Sequence, residues 1–385
     1  MRIMIFAPNY LPATRYGGPV RSTHGLARGL AEIGHEVHVM TTDVDGPDRL
    51  DVDLESPTEM DGVQVHYCPI VAPRRLYHSP ALAARAAKLM PTMDGLHVNG
   101  VFLWPGPKLA RMAQAARVPV VMAPRGMLVP EMVAGKSRII KTAWIALQER
   151  AALARARAIH VTSDGEAQSL ARMGLDLAPV KMIGNGVTGP SRAPTPAEIE
   201  AVWGHVPKGS RVAFLARLDW TKGADMAIAA TRAVPGAHIL LAGHDQIGLR
   251  ANLEQGLTRA DGSICGAFLG PVDGMRKWAL LAGADVVLVP SVRESFGMSA
   301  AEALAMGTPV IASDGVGLAP FLRQIDPALV VPRDQSALNA ALAALLADPG
   351  RILRLQTAAL DLVVREMTWT GIAARVAALF DRGPA

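Results

Sequence analysis

The sequence predicts an α/β protein with two Rossmann-like domains. Short apolar runs alternate with amphipathic helical segments along the 385 residues. The alternation is broken once, by the proline-rich stretch 188–196, and then begins again. Strand, helix and strand in succession give parallel pairing with a right-handed crossover, so each half is expected to form a doubly wound sheet, the two facing a cleft.

The first half opens with a buried strand and a capped helix. Residues 3–7 form a continuous apolar run, typical of a strand covered on both faces. In the helix that follows, Leu26, Leu30 and Ile33 recur at steps of four and three, and Gly34 is placed to cap the C-terminus. Further strands are predicted at 35–40, 96–98, 118–122, 158–162 and 180–183, with helices at 107–116 and within 137–157.

The second half repeats this pattern after a linker. Three prolines within 188–196 exclude a helix or a central strand there. We therefore place the first domain at 1–187 and the second at 197–367. Strands are predicted at 211–216, 238–242, 266–269, 285–289, 309–312 and 329–331, with helices at 223–232, 275–282, 298–306, 336–346, 351–365 and 369–380.

The composition narrows the class of protein. Half of the residues are hydrophobic, which is enough for two cores, while aromatic residues make up only 4%. So few aromatics weigh against a base-stacking surface, and no nucleic acid is expected as a partner. The net charge of +5 suits an anionic substrate or a membrane surface, but also an ordinary basic protein. Cys68 and Cys265 have no metal-ligand spacing and are expected to be buried thiols.

Targeting signals are not evident in the sequence. No signal peptide opens the chain, and no apolar run reaches the ~18 residues of a membrane span. We therefore expect a cytoplasmic protein. Peripheral contact with the inner face of the cell membrane is compatible with this expectation.

Two strand-to-helix loops are rich in glycine or cations. Gly17 and Gly18 precede the first helix, whose N-terminus favours an anion, although a plain flexible loop would show the same residues. The dinucleotide fingerprint Gly-x-Gly-x-x-Gly is absent there. Arg217 and Lys222, with Gly223, follow the first strand of the second domain. Two cations at a helix start suit a diphosphate, but they could also be solvated surface charges.

A third loop combines carboxylates with a helix start. Glu294 follows the strand 285–289, and Glu302 falls in the second turn of the next helix. The backbone from Ser295 through Phe296 and Gly297 to Met298 is expected to form a phosphate cradle. A fourth turn, 185–187, is Asn-Gly-Val, usually only a turn, and it is a hinge candidate between the domains.

Together these residues resemble the retaining glycosyltransferases of family 4, which have the two-domain GT-B architecture and include bacterial mannosyl-, glucosyl- and galactosyltransferases. The resemblance covers nearly the whole chain. It is carried by Gly17 with Gly18, by Arg217 with Lys222, and by the stretch from Glu294 to Glu302 that runs into residues 303–312.

The resemblance implies roles for these residues. Arg217 and Lys222 would hold the diphosphate of a nucleotide-sugar donor. Glu294 would contact the transferred hexose and Glu302 the ribose, while the backbone of 295–298 would support the phosphate and the sugar. Gly17 and Gly18 would let the first domain close on the diphosphate. Residues 368–385 would cross back and pack on the first domain.

One position departs from the family pattern. Many relatives carry a histidine after a central strand of the first domain, where this chain has Arg125 within the segment Ala-Pro-Arg-Gly. This resembles a subgroup common among enzymes of cell-surface polysaccharide synthesis. His97 and Asn99, in the preceding loop region, are the other candidates to line an acceptor pocket.

The expected reaction is transfer of a hexose with retention of configuration onto a sugar or a lipid-linked acceptor. The sequence contains no cluster of carboxylates that would suggest a metal site, so we expect no cofactor. We assign stabilisation of the negative charge on the leaving diphosphate to Arg217, Lys222 and helix N-termini. No protein nucleophile is assigned, and the leaving phosphate would take the proton of the acceptor. A nucleotide-sugar epimerase or hydrolase of the same architecture, and a non-catalytic binding protein, are the alternatives.

The stretch 136–147 has two interpretations. It mixes the cations Lys136, Arg138 and Lys141 with apolar residues, and Ile140, Trp144 and Leu147 share one face of a helix. Such a helix can lie in an anionic membrane interface. Alternatively, it is a domain helix whose apolar face packs on its own sheet.

Overall fold

The computed structural model describes residues 1–135, 137–245 and 247–381. The chain divides into two compact units, Met1–Gly186 with Met367–Ala385, and Val187–Glu366. The predicted boundary at 187 lies one residue from this division. Residues 187–195 have no regular secondary structure, and a helix begins at Pro196.

The first unit is built on one long sheet. Its strands are β1 (Arg2–Phe6), β2 (Glu36–Thr42), β3 (Val44–Asp45), β4 (Asp48–Arg49), β5 (Thr58–Met60), β6 (Val63–Cys68), β7 (Gly95–Asn99), β8 (Val120–Ala123), β9 (Ala158–Val161) and β10 (Val180–Met182). The main sheet has the order β10-β9-β8-β7-β1-β2-β6-β5, and β3 pairs only with β4. All pairs in it are parallel except β5 with β6, which confirms the predicted sheet.

Both faces of this sheet are covered. The helices are α1 (Gly18–Glu32), α2 (Pro80–Leu89), α3 (Pro105–Ala115), α4 (Pro130–Ala134), α5 (Arg138–Trp144), α6 (Arg150–Arg155) and α7 (Asp164–Ala171). Along β1, Met4 and Phe6 enter one hydrophobic cluster while Ile3 and Ile5 enter another. This alternation is expected for a strand buried on both faces.

The second unit repeats the architecture at smaller size. Its helices and strands are α8 (Pro196–Trp203), β11 (Ser210–Leu215), α9 (Ala224–Ala233), β12 (Ala237–Ala242), α10 (Arg250–Glu254), β13 (Gly266–Gly270), α11 (Gly274–Ala282), β14 (Val286–Val289), α12 (Met298–Ala305), β15 (Val310–Ser313), α13 (Ala319–Ile325), β16 (Val330–Val331), α14 (Gln335–Leu346) and α15 (Pro349–Glu366). The sheet order is β13-β12-β11-β14-β15-β16, and every pair is parallel. Cys265, predicted to be a buried thiol, is buried and lies directly before β13.

The last helix, α16 (Trp369–Ala377), packs against α1 of the first unit. The predicted crossing back of the C-terminal segment is therefore confirmed. Three glycines make room for Trp369, because a Cβ atom on Gly25, Gly29 or Gly186 would come within 2.1, 2.6 and 2.5 Å of that residue. A larger side chain would displace the ring of Trp369 at Gly25 and Gly186, and its backbone at Gly29.

The predicted helix within 137–157 is not uniform. It consists of α5, a π-helical turn at Ile145–Glu149, and α6. Lys136, one of the cations predicted to lie on its surface, falls outside the described residues. Among the described helices, each is too short or too polar to span a bilayer.

Candidate functional site

Three loops of the second unit meet where neighbouring strands end. They follow β11, β14 and β15, which are adjacent in the sheet. The N–H of Val292 donates to the carbonyl of Thr221 (2.7 Å), and the N–H of Glu294 donates to the carbonyl of Gly315 (3.1 Å). These two bonds tie the three loops into one rim. In parallel α/β sheets, this carboxyl edge is where ligands bind.

Lys222 and Glu294 meet on this rim. The ammonium of Lys222 lies 2.6 Å from Oε1 of Glu294, and the hydroxyl of Ser291 donates to the same oxygen at 3.2 Å. Both charged side chains are largely buried, with 15% and 19% exposure. The sequence predicted both residues but not their contact, since they are separated by more than seventy positions.

Glycines let the rim turn tightly beside this ion pair. Gly223, directly before α9, has φ +73°, and a Cβ there would lie 2.5 Å from the carbonyl oxygen of Pro290. Gly297, directly before α12, has φ +101° and faces Val316 at 2.8 Å from such a Cβ. Any other residue would be strained at either position. The start of each helix is therefore held close to a neighbouring loop.

Glu302 is paired with a lysine that the sequence analysis did not identify. Lys277, on α11, places its ammonium 2.6 Å from Oε1 of Glu302 and 4.0 Å from the ring centre of Trp278. Glu302 lies in the second turn of α12, where it was predicted. The sequence did contain a signal for this pair, a lysine within an apolar helical segment. A lysine in such a position is buried and therefore needs a partner of opposite charge.

Arg217 differs from Lys222 in its surroundings. Its side chain is exposed, and no ion pair holds it within the described residues. Nearby, Asp219 accepts hydrogen bonds from the hydroxyl and the N–H of Thr221, and these bonds lower the pKa of that carboxyl. Among the described residues, the guanidinium of Arg217 therefore has no ion-pair partner, whereas Lys222 is paired with Glu294.

The predicted cradle has a buried aromatic at its centre. Phe296 is buried and packs edge-on against Phe321, with ring centres 6.3 Å apart. Its side chain is therefore part of the core, and only its backbone is available to a ligand. Ser295 is exposed, and Met298 begins α12 at an N-terminus that suits an anion.

In the first unit, the loop after β1 ends in the glycine pair. Gly17 has φ +66° and stands at the N-terminal cap of α1, which begins with Gly18. No atom lies within 4 Å of a Cβ built on Gly17, within the part of the chain that the structure describes. The space above this helix start is open to a ligand.

Arg125 lies at the carboxyl edge of the first sheet, directly after β8. Its Nε–H donates to Oδ1 of Asn99 (2.8 Å), and Nη1 donates to Oδ1 of Asn185 (3.3 Å). Asn99 is the last residue of β7, and Asn185 follows β10. The sequence suggested Asn185 only as part of a turn, because its contact with Arg125 spans sixty positions.

The structure corrects the expectation that His97 lines an acceptor pocket. Its side chain is 0% exposed within β7, and Nε2 lies 3.0 Å from Nδ1 of His160. Nε2 of His160 donates to the carbonyl of Ile183 (2.9 Å), so its Nδ1 must accept from His97. Burial lowers the pKa of His160 to about 3 and places that of His97 well below its usual range. Both rings are neutral core groups.

Part of the apolar surface in the stretch after residue 136 is exposed, although Ile145 is buried in the core of the first unit. Ile140 is 70% exposed and Leu147 77% exposed, so a fully packed domain helix is the wrong interpretation for these two residues. Trp144 is half-buried, and its Nε1–H donates to Oε1 of Glu149 at 2.9 Å. One member of the predicted stripe faces inward, and two face outward.

Metal ligands are not grouped in the described part of the chain. Within residues 1–135, 137–245 and 247–381, no three His, Cys, Asp or Glu side chains are placed to hold an ion. Glu294 and Glu302 are instead paired with lysines.

Two family models match the chain. The glycosyl transferase 4-like domain matches residues 17–186, and glycosyl transferases group 1 matches residues 209–348. Glycogen synthase of Mycobacterium tuberculosis is 32% identical over 177 residues, which cover 43% of this chain and 41% of that protein. An uncharacterized glycosyltransferase of Methanocaldococcus jannaschii is 25% identical over 97% of this chain and 96% of its own length. The first of these alignments thus spans less than half of the relative.

Solved structures share the fold. Sucrose-phosphate synthase of Thermosynechococcus elongatus has a TM-score of 0.73 at 22% identity, covering 99% of this chain and 98% of the other. HepE of Anabaena, in complex with UDP and glucose, has a TM-score of 0.72 at 19% identity, with 98% of each chain covered. These similarities show the fold, and the family models show the class. The chain is a family 4 type glycosyltransferase with the two-domain GT-B architecture.

Proposed function

We propose that this glycosyltransferase moves a hexose from a nucleoside-diphosphate sugar to a sugar or lipid-linked acceptor with retention of configuration. The observation that carries the proposal is the pair of lysine–glutamate contacts at the carboxyl edge of the second sheet. They bring Lys222, Glu294, Lys277 and Glu302 to the strand ends where ligands of such folds bind.

The donor diphosphate binds beside Arg217 and Lys222. Arg217 carries an exposed guanidinium without an ion-pair partner in the described residues, and a guanidinium matches phosphate oxygens in pairs. Lys222 adds a point charge that Glu294 holds in place. The N-termini of α9 and α12 contribute further positive potential.

The two glutamates bind hydroxyl groups of the donor. Each uses Oε1 to accept from a lysine, which leaves a second carboxylate oxygen for a ligand. Glu294 lies on the rim loop and contacts the hexose, while Glu302 lies one helix turn further and contacts the ribose. The oxygens of a carboxylate accept hydrogen bonds, so each glutamate can bind a hydroxyl group.

Charge on the leaving group is stabilised without a metal. The bond from the anomeric carbon to the phosphate oxygen breaks, and a bond to the acceptor oxygen forms. The proton of the acceptor hydroxyl passes to the leaving diphosphate. Arg217, Lys222 and the helix N-termini stabilise the developing negative charge, a task that fixed cations and dipoles perform without reorganisation.

The names of similar proteins support this donor and the type of acceptor. HepE was solved with UDP-glucose, and another protein of this fold, WaaG, is named for lipopolysaccharide biosynthesis. Curated relatives include a phosphatidyl-myo-inositol mannosyltransferase of Mycobacterium leprae. A nucleotide-sugar donor and a role in cell-surface polysaccharide synthesis follow as the proposal for this chain.

A lipid-linked acceptor gains support from the surface of α5. Ile139, Ile140 and Leu147 are strongly exposed in one short segment, and Arg138 lies exposed among them. Exposed apolar groups beside cations suit the interface of an anionic bilayer. We therefore propose peripheral contact with the cytoplasmic face of the membrane through this segment.

Cosedimentation with liposomes tests this membrane contact. The protein is expected to pellet with anionic vesicles at low salt and to be released as salt rises, because surface charges are screened. Ile140→Asn should abolish pelleting. Val364→Asn, which removes an equally exposed apolar residue of α15, should not. If the protein stays in the supernatant with anionic and neutral vesicles alike, the membrane proposal fails.

The donor proposal is tested by a thermal-shift screen against UDP, GDP and ADP sugars. A specific ligand raises stability by mass action, by about 2.7 kcal/mol at a hundredfold excess over its dissociation constant. The sugars of one of the three nucleotides should raise the melting temperature more than those of the other two. If no nucleotide sugar raises the melting temperature, the donor is not a nucleotide sugar. If the product is an epimerised nucleotide sugar, the reaction is epimerisation and not transfer.

A further inference from the structure

Arg125 is held in an unusual backbone conformation. Its φ is +55°, and Gly126 follows with φ +73°. A non-glycine residue is strained in this left-handed region, and such strain persists only where the surroundings impose it. Here the N–H of Gly126 donates to Oε1 of Glu166 at 2.5 Å, which fixes the turn. The strain directs Arg125 across the carboxyl edge of the first sheet.

The hydrogen-bond partners of Arg125 are neutral. Asn99 donates through Nδ2 to the carbonyl of Phe6 (3.0 Å), so its Oδ1 is the atom that faces Nε of Arg125. Asn185 supplies a second amide oxygen. Two amide oxygens orient a guanidinium but do not neutralise its charge.

The nearest acidic group is engaged elsewhere. Glu166 raises the pKa of Arg125 through its charge, yet no carboxylate in the described ranges lies within ion-pair distance of that guanidinium. The two oxygens of Glu166 accept from Gly126, from the N–H of Thr162 and from the hydroxyl of Thr162. Burial acts more strongly than Glu166 and lowers the pKa of Arg125, although an arginine stays protonated at neutral pH.

The remaining donors of Arg125 are available to a ligand. The side chain is partly exposed, and its two hydrogen bonds use Nε and Nη1. Nη2 has no hydrogen-bond partner among the residues that the structure describes. The Nη edge of a guanidinium matches two oxygens of a carboxylate or a phosphate. A cation that is removed from water and has only neutral hydrogen-bond partners is stabilised most by a bound anion.

We propose that Arg125 binds an oxyanion of the acceptor, so that the acceptor carries a carboxylate or a phosphate near the hydroxyl that is glycosylated. This proposal rests on the function proposed above and narrows its acceptor class. Asn99 and Asn185 are positioning residues, which hold the guanidinium without competing for its charge. A neutral sugar would leave the charge of Arg125 without a counter-ion.

Binding of small sugar probes tests the proposal. Isothermal titration would use the full chain saturated with the nucleoside diphosphate that the screen selects. Glucose 6-phosphate carries a phosphate, glucuronate carries a carboxylate, and glucose is the neutral control. At least one anionic probe should bind at least about tenfold more tightly than glucose, as charge-assisted hydrogen bonds imply. The stronger of the two identifies the oxyanion.

Variants separate the acceptor from the donor. Arg125→Ala should remove the preference for the anionic probe and leave the affinity for the nucleoside diphosphate within about twofold, while Arg125→Lys should restore part of the preference. Asn99→Ala should weaken binding of the anionic probe but not binding of glucose or the nucleoside diphosphate. Arg155→Ala, which removes an exposed arginine of the same unit, should change neither affinity.

The outcomes distinguish this proposal from the donor assignment. If no nucleoside diphosphate binds, the proposed function itself fails. If the nucleotide binds but neither anionic probe exceeds glucose, the oxyanion subsite is wrong. If Arg125→Ala lowers nucleotide affinity about tenfold instead, Arg125 serves the donor and the proposal is overturned. Circular dichroism of each variant verifies that the fold is kept.

Discussion

Lys222 and Glu294 form an ion pair of 2.6 Å between the loops that follow two neighbouring parallel strands. The pair is largely buried, so its geometry is fixed more firmly than that of a surface pair. It places a cation and a carboxylate side by side at the rim. Preorganised charges of this kind are what stabilisation of a leaving diphosphate requires.

Removing either donor-site cation should reduce transfer. Arg217→Ala or Lys222→Ala should each cost about 1.5–3 kcal/mol of transition-state binding, or about 10- to 150-fold in kcat/KM. Arg217→Ala is the cleaner variant, because Lys222→Ala also leaves Glu294 without its partner. Lys208→Ala, at an exposed lysine of the same unit, is the control. If both variants transfer sugar at the parent rate, the diphosphate does not bind there.

Transfer should continue in excess EDTA. The expectation rests on the cations of the rim, which provide the charge stabilisation that a metal gives in other enzymes. The measurement compares initial rates with and without the chelator at a saturating donor concentration. Complete loss of activity, restored by magnesium or manganese, would contradict a metal-independent mechanism.

Breaking the Lys277–Glu302 pair should destabilise the second unit. Lys277→Met leaves the carboxylate of Glu302, at 15% exposure, without its cation, and we expect the free energy of unfolding to fall by about 3 kcal/mol. The double variant Lys277→Met with Glu302→Gln should recover most of that loss. Urea unfolding of the two variants and the parent measures both effects. A single variant as stable as the parent would show that the pair contributes no net stability.

Glu149 should make the stability of the first unit depend on pH. Burial raises the pKa of its carboxyl from 4.5 to about 7, against the hydrogen bonds donated by Trp144 and Phe102. The folded state therefore favours the protonated acid. Its contribution is fully present below pH 4.5 and is lost as pH rises to about 7, amounting to about 3 kcal/mol.

The variant Glu149→Gln isolates this effect. It keeps an oxygen acceptor for both N–H donors and cannot ionise, so its stability relative to the parent should rise between pH 4.5 and 7 and then level off. Unfolding midpoints in urea across that range give the difference. Glu131→Gln replaces an exposed carboxylate of the same unit, and its stability should change with pH as that of the parent does. A Glu149→Gln difference that does not change with pH would refute the raised pKa.

The elements with regular apolar patterns could be predicted from the sequence, because their burial is local in origin. The helix ending with Gly34 at φ +89° is one such element. By contrast, β5 was not predicted, and no bounds were predicted for β6. Strand β6 carries Gln64 and His66, and Nε2 of His66 lies 3.1 Å from Nδ1 of His38 on the neighbouring strand. A polar residue whose partner lies on another strand gives no local signal of burial.

The same reasoning separates the site residues. Arg217, Lys222 and Glu294 lie in the predicted loops after strand ends, and Glu302 lies in the predicted helix. Lys277 was not identified, and His97 was misjudged. In both cases the deciding contact, with Glu302 or with His160, is made by a residue on another element. Sequence patterns show which residues lie at an edge, but not which side chains are paired there.

The central claim is that the rim of the second unit binds a nucleoside diphosphate, with the phosphates at Arg217 and Lys222 and the ribose at Glu302. The most direct measurement is a matched series of dissociation constants for the nucleoside, monophosphate and diphosphate of the preferred base. Lys222→Ala should weaken only the diphosphate, by about tenfold or more, whereas Glu302→Gln should weaken all three ligands alike. Equal affinity of the parent for the nucleoside and the diphosphate, or equal effects of both variants on every ligand, would contradict the account.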